Sequence, residues 1–234
     1  MNDERFGPTR LRRDFSAFDF RTMPSAELAP ADIDVIMALF DSNYREANRA
    51  YLERSLTKLK YTTIAVHGET PAAFALGEAR IIDLPRMPQQ FVSLAGICCV
   101  APEFRRRGLF GETEARCMRA SALPVNPQRN LSCGRMAHPA SFHLMAQNPS
   151  AIPRRGVTPT PWQQEVGIAI AEAYGTPAFD PRTFVCKGAG VPIGYPVLEV
   201  EAAPEEWEVF AAVDRSRGDS LLGMAWWPDA PPGW

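Results

Sequence analysis

The chain has no lopsided charge, no membrane-length apolar run and no paired-cysteine spacing, and each absence removes a class of function. Its 25 Lys and Arg nearly balance 27 Asp and Glu, for a formal net charge of −2. A protein that holds nucleic acid or an anionic membrane through its overall field needs a large positive excess, so neither partner is expected. No uninterrupted apolar run reaches the length of a bilayer span. The opening Met1-Asn2-Asp3-Glu4-Arg5 lacks the basic-then-apolar order of a secretory signal. The five cysteines, Cys98, Cys99, Cys117, Cys133 and Cys186, are odd in number and include no Cys-x-x-Cys pair. Neither a disulfide framework nor a zinc site is indicated, and no metal is expected. Buried thiols in a cytoplasmic protein are the plain expectation.

Repeats, low-complexity tracts and a clear linker are also missing. With 234 residues, 46% of them hydrophobic and 22% charged, the chain can bury one sizeable core. The expected organisation is a loose polar lead-in over 1–17, a domain over 18–200, and a C-terminal helix with a Trp/Pro-rich tail over 201–234 packed on that domain.

What is present is concentrated in one stretch, Val100-Ala101-Pro102-Glu103-Phe104-Arg105-Arg106-Arg107-Gly108-Leu109-Phe110-Gly111. An apolar segment, 91–100, leads into it, and a helical pattern over 108–122 leaves it. A strand therefore feeds a basic turn containing glycine, and the turn opens a helix. The first backbone N–H groups of a helix lack intrahelical partners and sit at the positive end of its dipole. Glycine lets an anion such as a pyrophosphate approach them closely. A P-loop is excluded, because Arg106 holds its first glycine position and Glu112 its lysine position. A dinucleotide fingerprint is excluded too, since only Gly108 and Gly111 fit it.

The stretch resembles the signature of the GNAT superfamily of acyl-CoA-dependent N-acyltransferases. That signature is Gln/Arg-x-x-Gly-x-Gly/Ala after a strand often ending in Val-x-Pro. Arg105, Gly108, Val100 and Pro102 match it, and Phe110 departs at the last position. The order of elements is similar as well. A strand over 18–23 precedes helices from Ala29-Pro30-Ala31-Asp32 and over 46–59. The first helix is interrupted at Asp41-Ser42-Asn43, and the second is expected to turn Ala47, Ala50, Tyr51 and Leu56 inward. A hairpin over 62–67 and 72–82 follows, then the signature strand and helix. After a loop over 124–129 come a strand over 131–136 and a short helix over 139–147. An irregular proline-rich stretch, 149–161, leads to a helix over 162–174, late strands over 183–187 and 197–201, and a helix over 205–214.

The resemblance implies a mixed α/β (α+β) fold: a mostly antiparallel central sheet flanked by helices and splayed at the signature strand. It implies acetyl-CoA as acyl donor, with the pantetheine arm along Cys98, Cys99 and Val100. The pyrophosphate would meet the turn Arg105, Arg106, Arg107, Gly108, Leu109, Phe110 and Gly111. The acceptor would be a primary amine, attacked directly, with an oxyanion to stabilise and protons to move. The tyrosine that many members use as acid falls at Met145, which cannot donate. His138 and His143 near that helix, and Glu78 and Asp83 near the hairpin, are the substitute acid and base candidates. Cys98 and Cys99 read as small core residues rather than nucleophiles. The five tryptophans mostly cap the core, and a homodimer face among them is admitted. The alternative is a catalytically weak relative that binds acyl-CoA or a partner.

Overall fold

The computed structural model describes residues 14–44, 47–123, 129–188 and 202–234. Eight strands form a single sheet in the order β1-β2-β3-β4-β5-β8-β7-β6. Their spans are β1 Asp19–Pro24, β2 Tyr61–His67, β3 Thr70–Leu84, β4 Met87–Val100, β5 Asn130–Met136, β6 Phe179–Asp180, β7 Val185–Cys186 and β8 Ser220–Trp227. The helices are α1 Pro30–Asn43, α2 Arg49–Lys58, α3 Leu109–Ala120, α4 Pro139–Ala146 and α5 Pro161–Ala173. Every neighbouring pair is antiparallel except β4 and β5, which run parallel. This is the mixed, mostly antiparallel sheet that the GNAT resemblance implies.

Local chemistry explains the starts and stops. Pro30, Pro139 and Pro161 each open a helix, where the missing N–H costs nothing. The Thr160 hydroxyl accepts from the Gln163 N–H, and Gln163 Oε1 reaches back to the Thr160 N–H, closing a capping box. The interruption expected at 41–43 falls just after Asn43, where Tyr44 is extended. Ser42 Oγ and Asn43 Nδ2 both donate to the Leu39 carbonyl, at 2.9 and 2.7 Å, and α1 runs through Asn43. On α2 the fully buried side chain is Leu52, Tyr51 and Leu56 are half-buried, and Ala50 faces solvent.

The largest correction concerns the C-terminal stretch. Residues 220–227 are a strand in the middle of the sheet, paired with β5 along its whole length and with β7 at its start. Its run Leu221-Leu222-Gly223-Met224-Ala225-Trp226 is buried throughout, as a strand covered on both faces must be. The helix expected over 205–214 is a 3₁₀ segment, Pro204–Phe210. Only Val185–Cys186 of the strand expected over 183–187 is extended, and its partner β6 lacked a sequence signal. The strand expected over 197–201, nearly all of the loop 124–129 and most of the lead-in 1–17 lie outside the described residues.

Helices cover both faces of the sheet. Gly77, Gly134 and Gly223 mark one face. A β-carbon on Gly77 would meet Cys117 and Met118 of α3, and one on Gly223 would meet Phe142 and Met145 of α4 at 2.9 and 2.8 Å. Gly223 therefore gives α4 its seat. The opposite face carries α1, α2 and α5. There Arg105 Nη2 donates to Asn43 Oδ1 at 2.8 Å, and Arg135 touches Tyr51 of α2 and Tyr174 just past α5. A core of buried residues from Ile36 to Trp226 joins the two layers.

Candidate functional site

β4 is the hinge of the site. Its first half pairs with strands on both sides, β3 and β5, but the pairing with β5 covers only Val92 to Ala95 against Leu131 to Gly134. At that point the β3 register slips, with Gly77 opposite Ala95 and Ala75 opposite Cys98. One residue of β3, Leu76, then faces two of β4, so β4 bulges at Gly96 and Ile97. A bulge bends its strand and raises its twist. Beyond it, Cys98, Cys99 and Val100 pair with β3 alone, and no described residue of β5 accompanies them. The result is a wedge between parallel strands, with one backbone edge exposed to whatever enters.

Tyr174 holds the apex of that wedge. Its hydroxyl lies 2.9 Å from both the Ala95 carbonyl on β4 and the Cys133 carbonyl on β5. A phenol carries one proton, so it donates to one carbonyl at a time. Burial, first among several causes, pushes its pKa well above the ordinary tyrosine value. The wedge opens into a cleft walled by Tyr44 and Tyr51 on one face of the sheet and by Cys98, Phe110, Glu114, Ser141 and Met145 on the other. Phe40, Ala95 to Ile97, Ser132 to His138, Arg215 and Asp219 complete the wall.

The signature turn closes one end. Phe104 is buried against Phe18 and His67, fixing the turn to the core. Arg106 and Gly108 both take left-handed backbone, at φ 62° and 88°. Gly108 is the N-cap of α3 and supplies no side-chain cap. The first intrahelical bond is from the Glu112 N–H to the Gly108 carbonyl at 3.2 Å, so the N–H groups of Leu109, Phe110 and Gly111 precede the ladder. The arginines divide their roles. Arg105 turns inward, donating from Nε to the Val100 carbonyl and from Nη2 to Asn43, and so ties the end of β4 to the last turn of α1. Arg106 and Arg107 are exposed, and the Arg107 guanidinium lies 5.5 Å from the Phe104 ring centre. Leu109 is a core residue, whereas Phe110 faces the cleft.

The acid and base candidates do not come together. His138 is on the cleft wall and caps α4, its Nδ1 accepting from the Ala140 N–H at 3.1 Å. That lone pair is occupied, which leaves the proton on Nε2. Burial first, and the Arg215 charge second, hold its pKa below the ordinary histidine value. His143 is exposed, bonded to Glu206 and Gln147 at 2.9 Å each, and is not on the cleft wall. Glu78 is buried in an ion pair with Arg80, whose other nitrogen reaches the Ala173 carbonyl, and it is not on the wall either. Asp83 is at the far hairpin, accepting from the Gln89 backbone and side chain, which lower its pKa in that order. Cys98 contacts the Thr113 hydroxyl and the Phe110 carbonyl, and Cys99 is buried beside Tyr44. Burial pushes both thiols up, so each is protonated at neutral pH.

Sequence reasoning missed Tyr44, Glu114, Arg135 and Tyr174. Arg135 did leave a signal, being a charge inside the otherwise apolar and small run Leu131-Ser132-Cys133-Gly134. Tyr44 left none, because nothing local says that the end of α1 faces Cys99. Burial raises the Tyr44 pKa well above its ordinary value, with Cys99 as the next cause.

No protein-family model matches the chain, and no curated protein sequence matches it. Among solved structures, an aminoglycoside N-acetyltransferase in complex with CoA matches over 45% of this chain and 69% of its own, at 22% identity and a TM-score of 0.31. The ribosomal-protein-S18-alanine N-acetyltransferase of Escherichia coli matches over 92% of this chain and 99% of its own, at 10% identity and a TM-score of 0.41. The NatC complex bound to Gag peptide and CoA matches over 54% and 80%, at 13% identity and 0.36. The likeness to these proteins is one of fold.

Proposed function

We propose that this protein is an acyl-CoA-dependent N-acyltransferase that moves an acetyl or other short acyl group to a primary amine by direct transfer. The observation that carries the reading is the wedge: β4 leaves β5 after Ala95, and the turn that follows it leads to the open N-terminus of α3. A pantetheine arm has amide groups that need partners, and the edge of β4 beyond Ala95 offers backbone donors and acceptors in a row. A pyrophosphate needs several N–H donors converging on it, and Leu109 to Gly111 supply them beside an αL glycine. Laid along this path, the thioester sits near the apex, in the cleft.

The chemistry needs a neutral amine, a donor for the oxyanion and a proton for the leaving thiolate. His138 Nε2–H, the Tyr51 hydroxyl and the Ser141 hydroxyl are among the donors on the wall. Glu114 is the wall carboxylate assigned to draw the ammonium proton, directly or through water. The thiols take no covalent role, since burial keeps them neutral.

A second reading, an acyl-CoA-binding protein with weak transfer, is favoured by one observation. Met145 is on the cleft wall where the resemblance asks for a phenol, and a thioether has no proton to give. One experiment separates the two. Calorimetric titration with acetyl-CoA and with CoA is run beside thiol release from acetyl-CoA over a panel of amines. Binding with turnover supports the transferase, binding alone supports the second reading, and absence of binding overturns both.

A further inference from the structure

Arg135 is the residue immediately after the last β4–β5 pair, so its backbone sits at the mouth of the wedge. Strand alternation sends its side chain to the face opposite Gly134 and Met136, away from α4. The guanidinium carbon lies 5.3 Å from the Tyr174 ring centre, and Nη2 donates to the Tyr51 hydroxyl at 3.3 Å. Stacked on one ring and anchored at one nitrogen, the fork is held in place. Its other nitrogen, Nη1, is buried and has no hydrogen-bond partner among the described residues. A buried cationic N–H without an acceptor is costly, and on a residue that lines a cleft it marks a place for an acceptor from outside, which would reach it by a small shift of the side chain.

The chain's own carboxylates on the wall do not serve it. Asp219 is bonded to Arg217, and Glu114 stands on α3, across the sheet. The donor's phosphates do not reach it either. They dock at the start of α3, on the far face and at the other end of the exposed β4 edge. The cleft adds a second cation, Arg215, near enough to His138 to lower its pKa.

We propose that the acceptor is an amine that also carries a carboxylate, an amino acid or a close analogue, and that Arg135 binds that carboxylate. This rests on the transferase reading above. A planar guanidinium matches a carboxylate through charge-assisted N–H donors, and Tyr51 fixes the plane. The amine is then oriented toward the apex, where that reading places the thioester. Arg135 binds and orients the acceptor, and carries no proton in the transfer.

The test uses the full chain and matched pairs: phenylalanine with phenethylamine, lysine with cadaverine, glutamate with 4-aminobutyrate, and alanine with ethylamine. Each is titrated calorimetrically without CoA, and acetyl-CoA is titrated on the same sample. The expected result is that the tightest binder is an amino acid and that losing the α-carboxylate weakens it at least ~10-fold, the effect of one lost charged pair. Arg135→Gln should remove the preference. Arg135→Lys keeps the charge but not the fork, and should retain part of it; it also serves if the glutamine variant melts early. Equal affinity within every pair, no binding of any amino acid, or a preference that survives Arg135→Gln each overturns the proposal. If acetyl-CoA still binds in those cases, the transferase reading stands. If acetyl-CoA fails to bind, that reading falls, whatever the pairs show.

Discussion

Two parallel strands, β4 and β5, each run into a helix, and the two helices begin in opposite ways. α3 starts at Gly108, in left-handed backbone and with no side-chain cap. α4 starts at His138, whose ring accepts from the Ala140 N–H. Both ends carry the same partial positive charge, because every helix does. One chain segment spends a side chain to satisfy that end, and the other leaves it open beside a glycine. The difference teaches where an anion can dock. A capped terminus has already bonded one of its donors, whereas an uncapped one beside a wedge presents all of them.

The substitution expected to break this contrast most severely is Gly108→Val. A β-branched side chain at φ 88° strains the backbone and puts methyl groups where the proposed phosphate would approach. Acetyl-CoA affinity should fall about 100-fold, close to 2.7 kcal/mol. Gly108→Asn tolerates the left-handed region and should lose far less. Calorimetric titration of both, with circular dichroism as a fold check, decides it. Equal affinity for wild type and Gly108→Val would remove the α3 terminus as the docking point.

Next in size is Met145→Tyr on α4. A phenol there would supply the proton that the thioether lacks. Turnover should rise about 10-fold, close to 1.4 kcal/mol off the barrier, with little change in KM for acetyl-CoA. An unchanged kcat would mean that another wall donor already protonates the thiolate, or that this step does not limit the rate.

His138 bears on the capped side of the comparison. His138→Ala should cost about 1 kcal/mol of stability through the lost cap, whereas His138→Asn restores a cap acceptor and should cost little. If turnover falls in both, the imidazole acts in the reaction as well as in the cap. The pH dependence has a fixed sign. The folded pKa of His138 is lowered by burial and by Arg215, so the unfolded chain binds the proton more readily. The cap therefore contributes fully above about pH 6.5, the unfolded histidine value, and its contribution is lost as the pH falls below it. Thermal melts of wild type and His138→Ala should differ more at pH 8 than at pH 5, whereas His138→Asn should match wild type at pH 8 and exceed it at pH 5.

Much of this frame was legible in the sequence because it is written locally. Val100, Pro102, Arg105 and Gly108 lie within one turn of chain, and an apolar strand and an amphipathic helix flank them. The proline at the start of α4 and the Gly68 turn are local signals too. What stayed hidden is non-local. β8 was obscured because Trp226 and Trp227 precede Asp229-Ala230-Pro231-Pro232, a composition that reads as a tail. Its place beside β5 depends on a pairing across about ninety residues. Tyr174 belongs to a helix that periodicity located well, yet its contact with Ala95 and Cys133 crosses the whole fold. His143 and Glu78 carried suggestive chemistry in the sequence, and only the packing shows Glu206, Gln147 and Arg80 as their partners.

The smallest effect is the one that separates backbone from charge. Arg106 is exposed on the same turn as Gly108, three residues before the start of α3. If the turn holds an anion through backbone N–H groups, Arg106 adds only a screened attraction of about 0.2–1 kcal/mol, as exposed ion pairs do. Arg106→Ala should then weaken acetyl-CoA binding by no more than about 5-fold at low salt. At ~1 M salt the Debye length falls to about 3 Å, and the gap between variant and wild type should close. The Gly108→Val defect should persist at the same salt, because sterics and backbone geometry are not screened. Titrating both variants at low and high salt sets the two mechanisms side by side. If Arg106→Ala matched Gly108→Val in magnitude and both defects faded with salt, side-chain charge would be holding the ligand, and the open terminus of α3 would be a consequence of the glycine turn rather than its purpose.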